Sequence, residues 1–561
     1  MKKIVTVIFV LSVSLNSFAQ NLDSLYQHYI SLHQKNTNIK ELSLQTVNAP
    51  VKCGFGTVME IKANFDQFTV EQQQSLRKVM SRPGKQTSIV SPSGYFRIHF
   101  DTTGTEIPIY FSDPGKTEKE LIDMSIDSLA VALDYSYNYE VNILGYLKPP
   151  SDGTDGGDGK YDVYVEPYGG YGETRWDGPD NAAYMVIDNR LDNTYEKGIR
   201  AAKVTAAHEF HHGIQVGNYS DDISQLFIFE MTSTSMEEFV YDEVNDYYNY
   251  LSDYFRHPEQ RLDNTAGGGY DICIWNIFLV EKFNREKDDA MFGQKLIRRA
   301  WEIFKEKGSA IKAIEDALAE EGLSFKELFN EFGIWCYYTG IKSDPEIYFE
   351  EGINYPVIKP INTYSYIGNK QTYKINSNAV SNNFIRVVTQ SGDTLMSIVT
   401  NSDVISIANG SNNRIAFDLT LNSSGSDGAV SITNELYVSV SSTDNSLLKS
   451  NYIFRDNIVD GPANSEEIGY AFPQPFSYAN NENVFIPAIS SITDKTELKI
   501  YTVSMNLVYS DDSPEFGSFD FDVVKWNGKN NDGKKLATGV YIYVTKSGDN
   551  IKTGKLVIYN D

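Results

Sequence analysis

The chain has 561 residues, too many for one hydrophobic core, so several domains are expected. Hydrophobic residues make up 41% of it and its formal net charge is −26. That balance is the balance of soluble globular domains; it excludes the basic footprint of a nucleic-acid binder and disfavours docking on anionic lipid.

Lys2 and Lys3 precede an apolar run from Ile4 to Leu15, and Ser17-Phe18-Ala19 follows it. This pattern reads as a secretory signal over residues 1–19, which predicts a secreted or cell-surface protein. The run is too short to span a bilayer, and no later stretch is long and apolar enough to do so, so no transmembrane segment is expected. Three cysteines, Cys53, Cys273 and Cys336, allow one disulfide plus a free thiol but make no disulfide scaffold.

Residues 20–92 are polar and mixed, and read as a pro-segment-like region. Within them "TVEQQQSLRKVMSRPG" predicts a helix with Thr69 as N-cap and Pro83-Gly84 as its stop. "GYFRIHF" alternates as a strand does. From Thr117 to about Ile143, Ile122, Ile126, Leu129 and Leu133 recur at helical spacing. A Gly/Asp-rich loop, Pro150–Asp162, leads to two strand-like runs, "YDVYVEPY" and "AAYMVIDN". Helical patterns then run to about Gly340. Beyond about Asn354 short alternating runs separated by Asn/Ser/Gly clusters predict β-sandwiches, with a linker at Asp460–Glu467. The expected architecture is multidomain: an α+β domain (93–345), then two all-β sandwich (Ig-like) domains (346–459 and 460–561).

Three of the seven histidines crowd into His208-Glu209-Phe210-His211-His212, which matches H-E-x-x-H. On a helix, residues four apart share one face, so His208 and His212 can bring two imidazole nitrogens to one ion. Glu209 beside them can take a proton from water that the ion polarises. Four alanines in "IRAAKVTAAHEFHHGIQ" favour the helix this requires. Pairing His208 with His211, three apart, is the other arrangement; in the preferred one His211 lies off the ligand face, supporting a ligand or lining the cleft.

A catalytic zinc site needs a third protein ligand and an open position. The H-E-x-x-H-x-x-G-x-x-H pattern is disfavoured, since its places hold Gln215 and Asn218. Glu230 sits alone in the apolar run of "LFIFEMTSTSMEEFVYDEV", where a carboxylate is costly unless paired or coordinated. It is preferred over Glu237, Glu238, Asp221 and Asp222, and Glu237 and Glu238 read as a solvated face. Thr234, on the Glu230 face, is the candidate for orienting an imidazole. Tyr270, at a glycine-rich helix start, or Tyr241 is the candidate oxyanion donor.

From about Pro50 to Gly340 the chain resembles a family of secreted bacterial metalloproteases of gluzincin type. The resemblance rests on "VKCGFGTVMEIKANFDQF", "SPSGYFRIHFDTTG", "GGDGKYDVYVEPYGGYGET", "AAYMVIDN", "AAHEFHHGIQ" and "FEMTSTSMEEFVYDEVNDYYNYL", in that order. It implies that the α+β domain is a zincin-like catalytic domain, a zinc peptidase centred on His208, Glu209 and His212. Family members tend to show Glu-Gly-Thr-Ala where this chain has Glu230-Met231-Thr232-Ser233. The C-terminal pieces "PQPF", "LKIYTVSM", "VVKWNGKNNDGKKLATGVYIYV" and "KTGKLVI" resemble the Ig-like modules that end type IX secretion cargo and are related to hook-cap repeats. That implies the secretion machinery as a partner.

The expected function is a secreted zinc-dependent endopeptidase acting on protein or peptide, with Glu209 as general base. The alternative is a surface adhesin or carbohydrate-binding protein with a vestigial metal site. Cys53, in "VKCGFG", is a candidate latency ligand, since a thiolate at the open zinc position silences the enzyme; a buried or disulfide-bonded cysteine is the plainer reading. Asp152, Asp155, Asp158 and Asp162 offer oxygens for Ca²⁺, but their spacing departs from the EF-hand loop and a plain loop is the simpler reading.

Overall fold

The computed structural model describes residues 21–33, 50–177, 179–264, 268–365, 371–388, 395–401, 414–423, 435–442, 448–454, 471, 476–478, 483–488, 496–503, 505–516, 523–548 and 550–560. The signal-like residues 1–19 and the linker at 460–467 lie outside them. Two compact units result: Met1–Asp253 with Leu262–Phe325, and Tyr254–Arg261 with Lys326–Asp561. No described helix is long and apolar enough to cross a membrane. The three cysteines are buried free thiols, so the disulfide that the sequence allowed is not formed.

The first unit is α+β. Its helices are α1 (residues 21–32), α2 (Phe55–Ala63), α3 (Val70–Val79), α4 (Glu118–Tyr137), α5 (Gly198–Asn218), α6 (Leu226–Val240), α7 (Ser252–Arg256, at its border), α8 (Cys273–Glu286), α9 (Phe292–Lys307) and α10 (Ala310–Glu320). Its strands β1 (Val51–Cys53), β2 (Thr87–Val90), β3 (Phe96–Phe100), β4 (Tyr161–Glu166), β5 (Gly170–Trp176) and β6 (Ala183–Asp188) form one sheet in the order β1-β5-β6-β4-β3-β2. Pairs β1–β5, β6–β4 and β4–β3 are parallel; β5–β6 and β3–β2 are antiparallel.

Local chemistry explains several boundaries. Thr69 and Thr117 each close a capping box, with Gln72 and Glu120 respectively, so α3 and α4 start where their sequences predict. α4 runs into a wide π-turn over Asn138–Ile143 that turns Glu140 inward. α6 ends at Val240 rather than near Val244 as its pattern suggests, because Tyr241 leaves helical geometry at φ −133°, ψ 59°. Residues 51–53 and 87–90, from the region read as pro-segment-like, supply the two outermost strands of this sheet.

β5 is buried along its whole length, which its glycines and charges conceal in the sequence. Alternation sends its side chains to opposite faces. On one face Glu173 accepts hydrogen bonds from Arg175 and from Tyr29 of α1, while Arg175 also donates to Val79 O at the end of α3. Burial alone would raise the Glu173 pKa; Arg175 and His33 reverse this and hold it near 2. On the other face Gly172 and Thr174 meet α5.

In the second unit, the helix Phe325–Tyr337 begins at the border and is followed by β-sheet regions. Leu395–Asn401, Arg414–Ser423 and Gln371–Asn378 form a three-stranded sheet; Leu448–Phe454, Glu435–Ser442, Ser381–Val388 and Asn362–Ser365 form a four-stranded one. At the C-terminal end a five-stranded and a two-stranded sheet share a core that includes Phe476, Leu498, Ile500, Trp526 and Tyr543. Trp526 Nε1 donates to Lys529 O at 2.9 Å, anchoring the turn that the sequence places there.

A Cβ at Gly172 would sit 2.7 Å from Val186 O and 2.9 Å from Thr205 Cγ2. Gly172→Ala is therefore expected to wedge β5 from α5 at a cost of about 1–3 kcal/mol, read as a lower urea midpoint.

Candidate metal centre

α5 is buried on every face from Val204 to Val216, and the buried side chains include His208, Glu209, His211, His212 and Gln215. A buried polar group without a partner is costly, so each must find one. α5 packs on β5 and β6 and between α4 and α6, and those elements supply the partners.

His208 Nδ1 lies 2.7 Å from Glu237 Oε1, and His212 Nδ1 lies 2.8 Å from Gln215 Oε1 and 3.2 Å from Ser233 Oγ. Gln215 Nε2 donates to Phe229 O at 3.1 Å, which fixes the amide so that its oxygen faces the imidazole. Both Nδ1 atoms therefore carry the hydrogen, and both Nε2 atoms present lone pairs. Those lone pairs converge. His208 Nε2 is 3.1 Å from His212 Nε2, and Glu230 Oε2 is 3.2 and 3.3 Å from the two.

Three acceptors so placed, in a site 2% exposed or less, repel one another unless a cation or a proton sits among them. Without a metal the proton goes to His208: burial alone would lower its pKa, but the hydrogen bonds that it donates to Glu230 and Glu237 lift it to about 9. Burial likewise would raise Glu230, but His212 and His208 bring it down to about 2. The separations match a metal centre, since ligand atoms 2.0–2.1 Å from one tetrahedral ion stand about 3.3 Å apart. Cys53 Sγ completes a buried set with His208, His212 and Glu230 whose ligand atoms all lie within 4.8 Å of one another. Among the described residues no other set of three or more such side chains comes together.

Glu209 flanks this set. Thr174 of β5 donates to its Oε2 at 2.7 Å, while its Oε1 is buried without a hydrogen-bond partner. Burial raises the Glu209 pKa, against the opposing pull of His212 and His208. Gly268 and Gly269, at φ +80° and +104°, bring Tyr270 close to α6, where a Cβ at Gly269 would sit 2.7 Å from Phe227 O. The Tyr270 ring is 6.2 Å from that of His208. Burial and then Glu230 push its pKa up, so it remains an O–H donor.

Other expectations fall elsewhere. His211 points away from the set to Glu140, with Nδ1 2.9 Å from Oε2, so the i, i+3 pairing is not formed. Burial lowers the His211 pKa and raises that of Glu140. Thr234 Oγ1 is buried with no hydrogen-bond partner; the imidazoles are oriented by Glu237, Gln215 and Ser233 instead. Glu237 is no solvated face but fully buried. Tyr241 donates to Ala132 O at 2.7 Å and is a packing residue. Asp222 caps the turn before α6. In the Asp-rich loop, Asp152 and Asp162 pair with Arg82, and Asp158 pairs with Arg97 and Lys160, which leaves cations of the chain where calcium was considered.

The N-terminal segment reaches into the same site. Lys52 Nζ lies 2.7 Å from Glu237 Oε2 and also bonds Asp246, which accepts from Tyr171 at 2.7 Å. Burial alone would lower the Lys52 pKa; Asp246 and Glu237 together raise it above that of a free lysine. Phe55 stacks on His212, ring centroids 3.9 Å apart and nearly parallel.

No family model matches the chain, and no curated protein does. Among solved structures, PorZ, described as an essential bacterial surface component of the type IX secretion system of Porphyromonas gingivalis, is 21% identical over 22% of this chain and 15% of its own, with a TM-score of 0.15. Domains 4–9 of the surface layer protein SbsC are 14% identical over 36% of this chain and 30% of their own, with a TM-score of 0.10. The chain thus spans under a third of either.

Lys52→Met leaves Glu237 and Asp246 as buried carboxylates without their cation. It is expected to cost about 3–5 kcal/mol, measured by denaturant unfolding.

Proposed function

We propose that this protein is an exported zinc-dependent endopeptidase. The observation that carries the reading is the convergence of His208 Nε2, His212 Nε2 and Glu230 Oε2, both imidazoles turned by partners on Nδ1, with a buried carboxylate alongside. His208, His212 and Glu230 would hold the zinc, and two imidazoles with one carboxylate are a catalytic zinc donor set. Zinc supplies Lewis acidity there, polarising a carbonyl and making water acidic.

The chain's own groups do the rest. Glu209, its Oε2 held by Thr174, takes a proton from the attacking water on Oε1 and returns it to the departing amine. Its raised pKa suits both halves of that task. Glu237 holds His208 in the tautomer that leaves Nε2 free. Tyr270 is the nearby O–H donor for the developing oxyanion. The signal-like residues 1–19 and the C-terminal motifs support export, with an Ig-like sorting module at the C-terminal end.

Metal analysis is expected to find about one zinc per chain, lost in His212→Ala and Glu230→Gln. Casein cleavage, followed before and after limited proteolysis of the chain, is expected to be chelator-sensitive. Glu209→Gln should slow it about 10²–10⁴-fold with zinc content unchanged. A chain that takes up no zinc sinks this reading. A Glu209→Gln protein as active as its parent points instead to a binding protein, such as a surface adhesin or carbohydrate-binding protein, with an inert centre.

A further inference from the structure

Strand β1 covers the outer edge of β5. It pairs in parallel with β5, Val51 opposite Gly170 and Cys53 opposite Gly172, and Gly54 N donates to Gly172 O at 3.0 Å. Without β1, β5 is the edge of the sheet, and β5 carries the threonine that holds Glu209. An exposed edge strand beside a hydrolytic centre is a template for an extended peptide. Here the chain's own residues 51–53 occupy it.

The occupancy extends to the ligand set. Cys53 belongs to the buried group with His208, His212 and Glu230. Glu230 Oε1 is buried without a hydrogen-bond partner. Phe55 N donates to Cys53 Sγ at 3.2 Å, which orients the sulfur, while the Phe55 ring covers His212. Lys52 locks the strand down through Glu237 and Asp246. Residue 54 must be glycine for so close a fit, since a Cβ there would sit 2.2 Å from Tyr168 Oη.

Three protein ligands leave a zinc ion open to water; a fourth closes it. We propose that the segment from Val51 to Phe55 is a built-in inhibitor: the Cys53 thiolate takes the fourth position at the ion and β1 fills the substrate edge, so the chain is latent until that segment is withdrawn. Coordination breaks the Cys53 S–H bond, and the proton is released to the buffer as the ion binds. The inference rests on the zinc-peptidase reading, and the test separates the two.

The full-length chain is loaded with Co²⁺ in place of zinc, and its near-ultraviolet thiolate-to-cobalt absorption is recorded beside casein cleavage, for the parent, Cys53→Ser, Cys53→Ala and His212→Ala. The parent is expected to show the band and little cleavage. Both Cys53 variants should keep bound cobalt, lose the band, and cleave at least about tenfold faster, the gain when a site nine-tenths closed is opened. Cobalt bound through His212 with no thiolate band, or with a band that survives Cys53→Ser, overturns the inhibitor alone. A band lost without any gain in cleavage also overturns it, and marks a closed structural centre. Failure of the parent to bind cobalt overturns both readings.

Discussion

A helix with no solvent-facing side through its middle turns carries two imidazoles, a third, a carboxylate and an amide. Everything around α5 answers that problem. A buried polar atom left alone costs as much as several good contacts return, so the neighbours of α5 are chosen for their polar atoms as much as their shape. β5 offers the Thr174 hydroxyl, α6 offers Ser233, Glu230 and Glu237, and the π-turn after α4 offers Glu140. Partners on the Nδ1 side of His208 and His212 free both Nε2 atoms to point at one spot. The ligand set is built from the lone pairs that those partners leave free on His208 and His212, with Glu230 beside them.

The second half of the design is a charge relay in the static sense. Lys52 neutralises Glu237, and Glu237 orients His208. Two carboxylates, Glu237 and Asp246, stay buried because one ammonium from a strand 185 residues before Glu237 lies between them. The N-terminal segment is therefore bonded into the site through the Lys52 side chain, with the Cys53 sulfur close to the ligand set.

Much of this was legible before any coordinates. H-E-x-x-H on an alanine-rich segment dictates the helix and the shared face of His208 and His212. A lone carboxylate in "LFIFE" is so costly that Glu230 announces a partner. The change to short alternating strands after residue 354 marks the β-rich half. Glu237 was hidden because two adjacent acids look like a wet surface, and its cation lies far off in sequence. β5 was hidden because "GYGETRW" lacks the apolar alternation of a half-buried strand; its Glu173 is matched by Arg175 of the same strand and, from other elements, by Tyr29 and His33. Three-residue β1 is too short to show a period at all. Thr234 shares the Glu230 face in projection, yet its neighbour Ser233 is the one whose hydroxyl reaches an imidazole.

Because β1 is continuous with the rest of the chain, its approach to β5 is unimolecular. A tethered strand of this kind meets its groove at an effective concentration of about millimolar, which soluble peptides rarely reach. Three residues with a few backbone hydrogen bonds, negligible as a free tripeptide, thereby become a standing occupant of that edge. Their hold is kinetic as well as thermodynamic: each departure is followed by rapid return for as long as the peptide backbone between β1 and the sheet stays intact, and that covalent continuity sets the lifetime of the covered state.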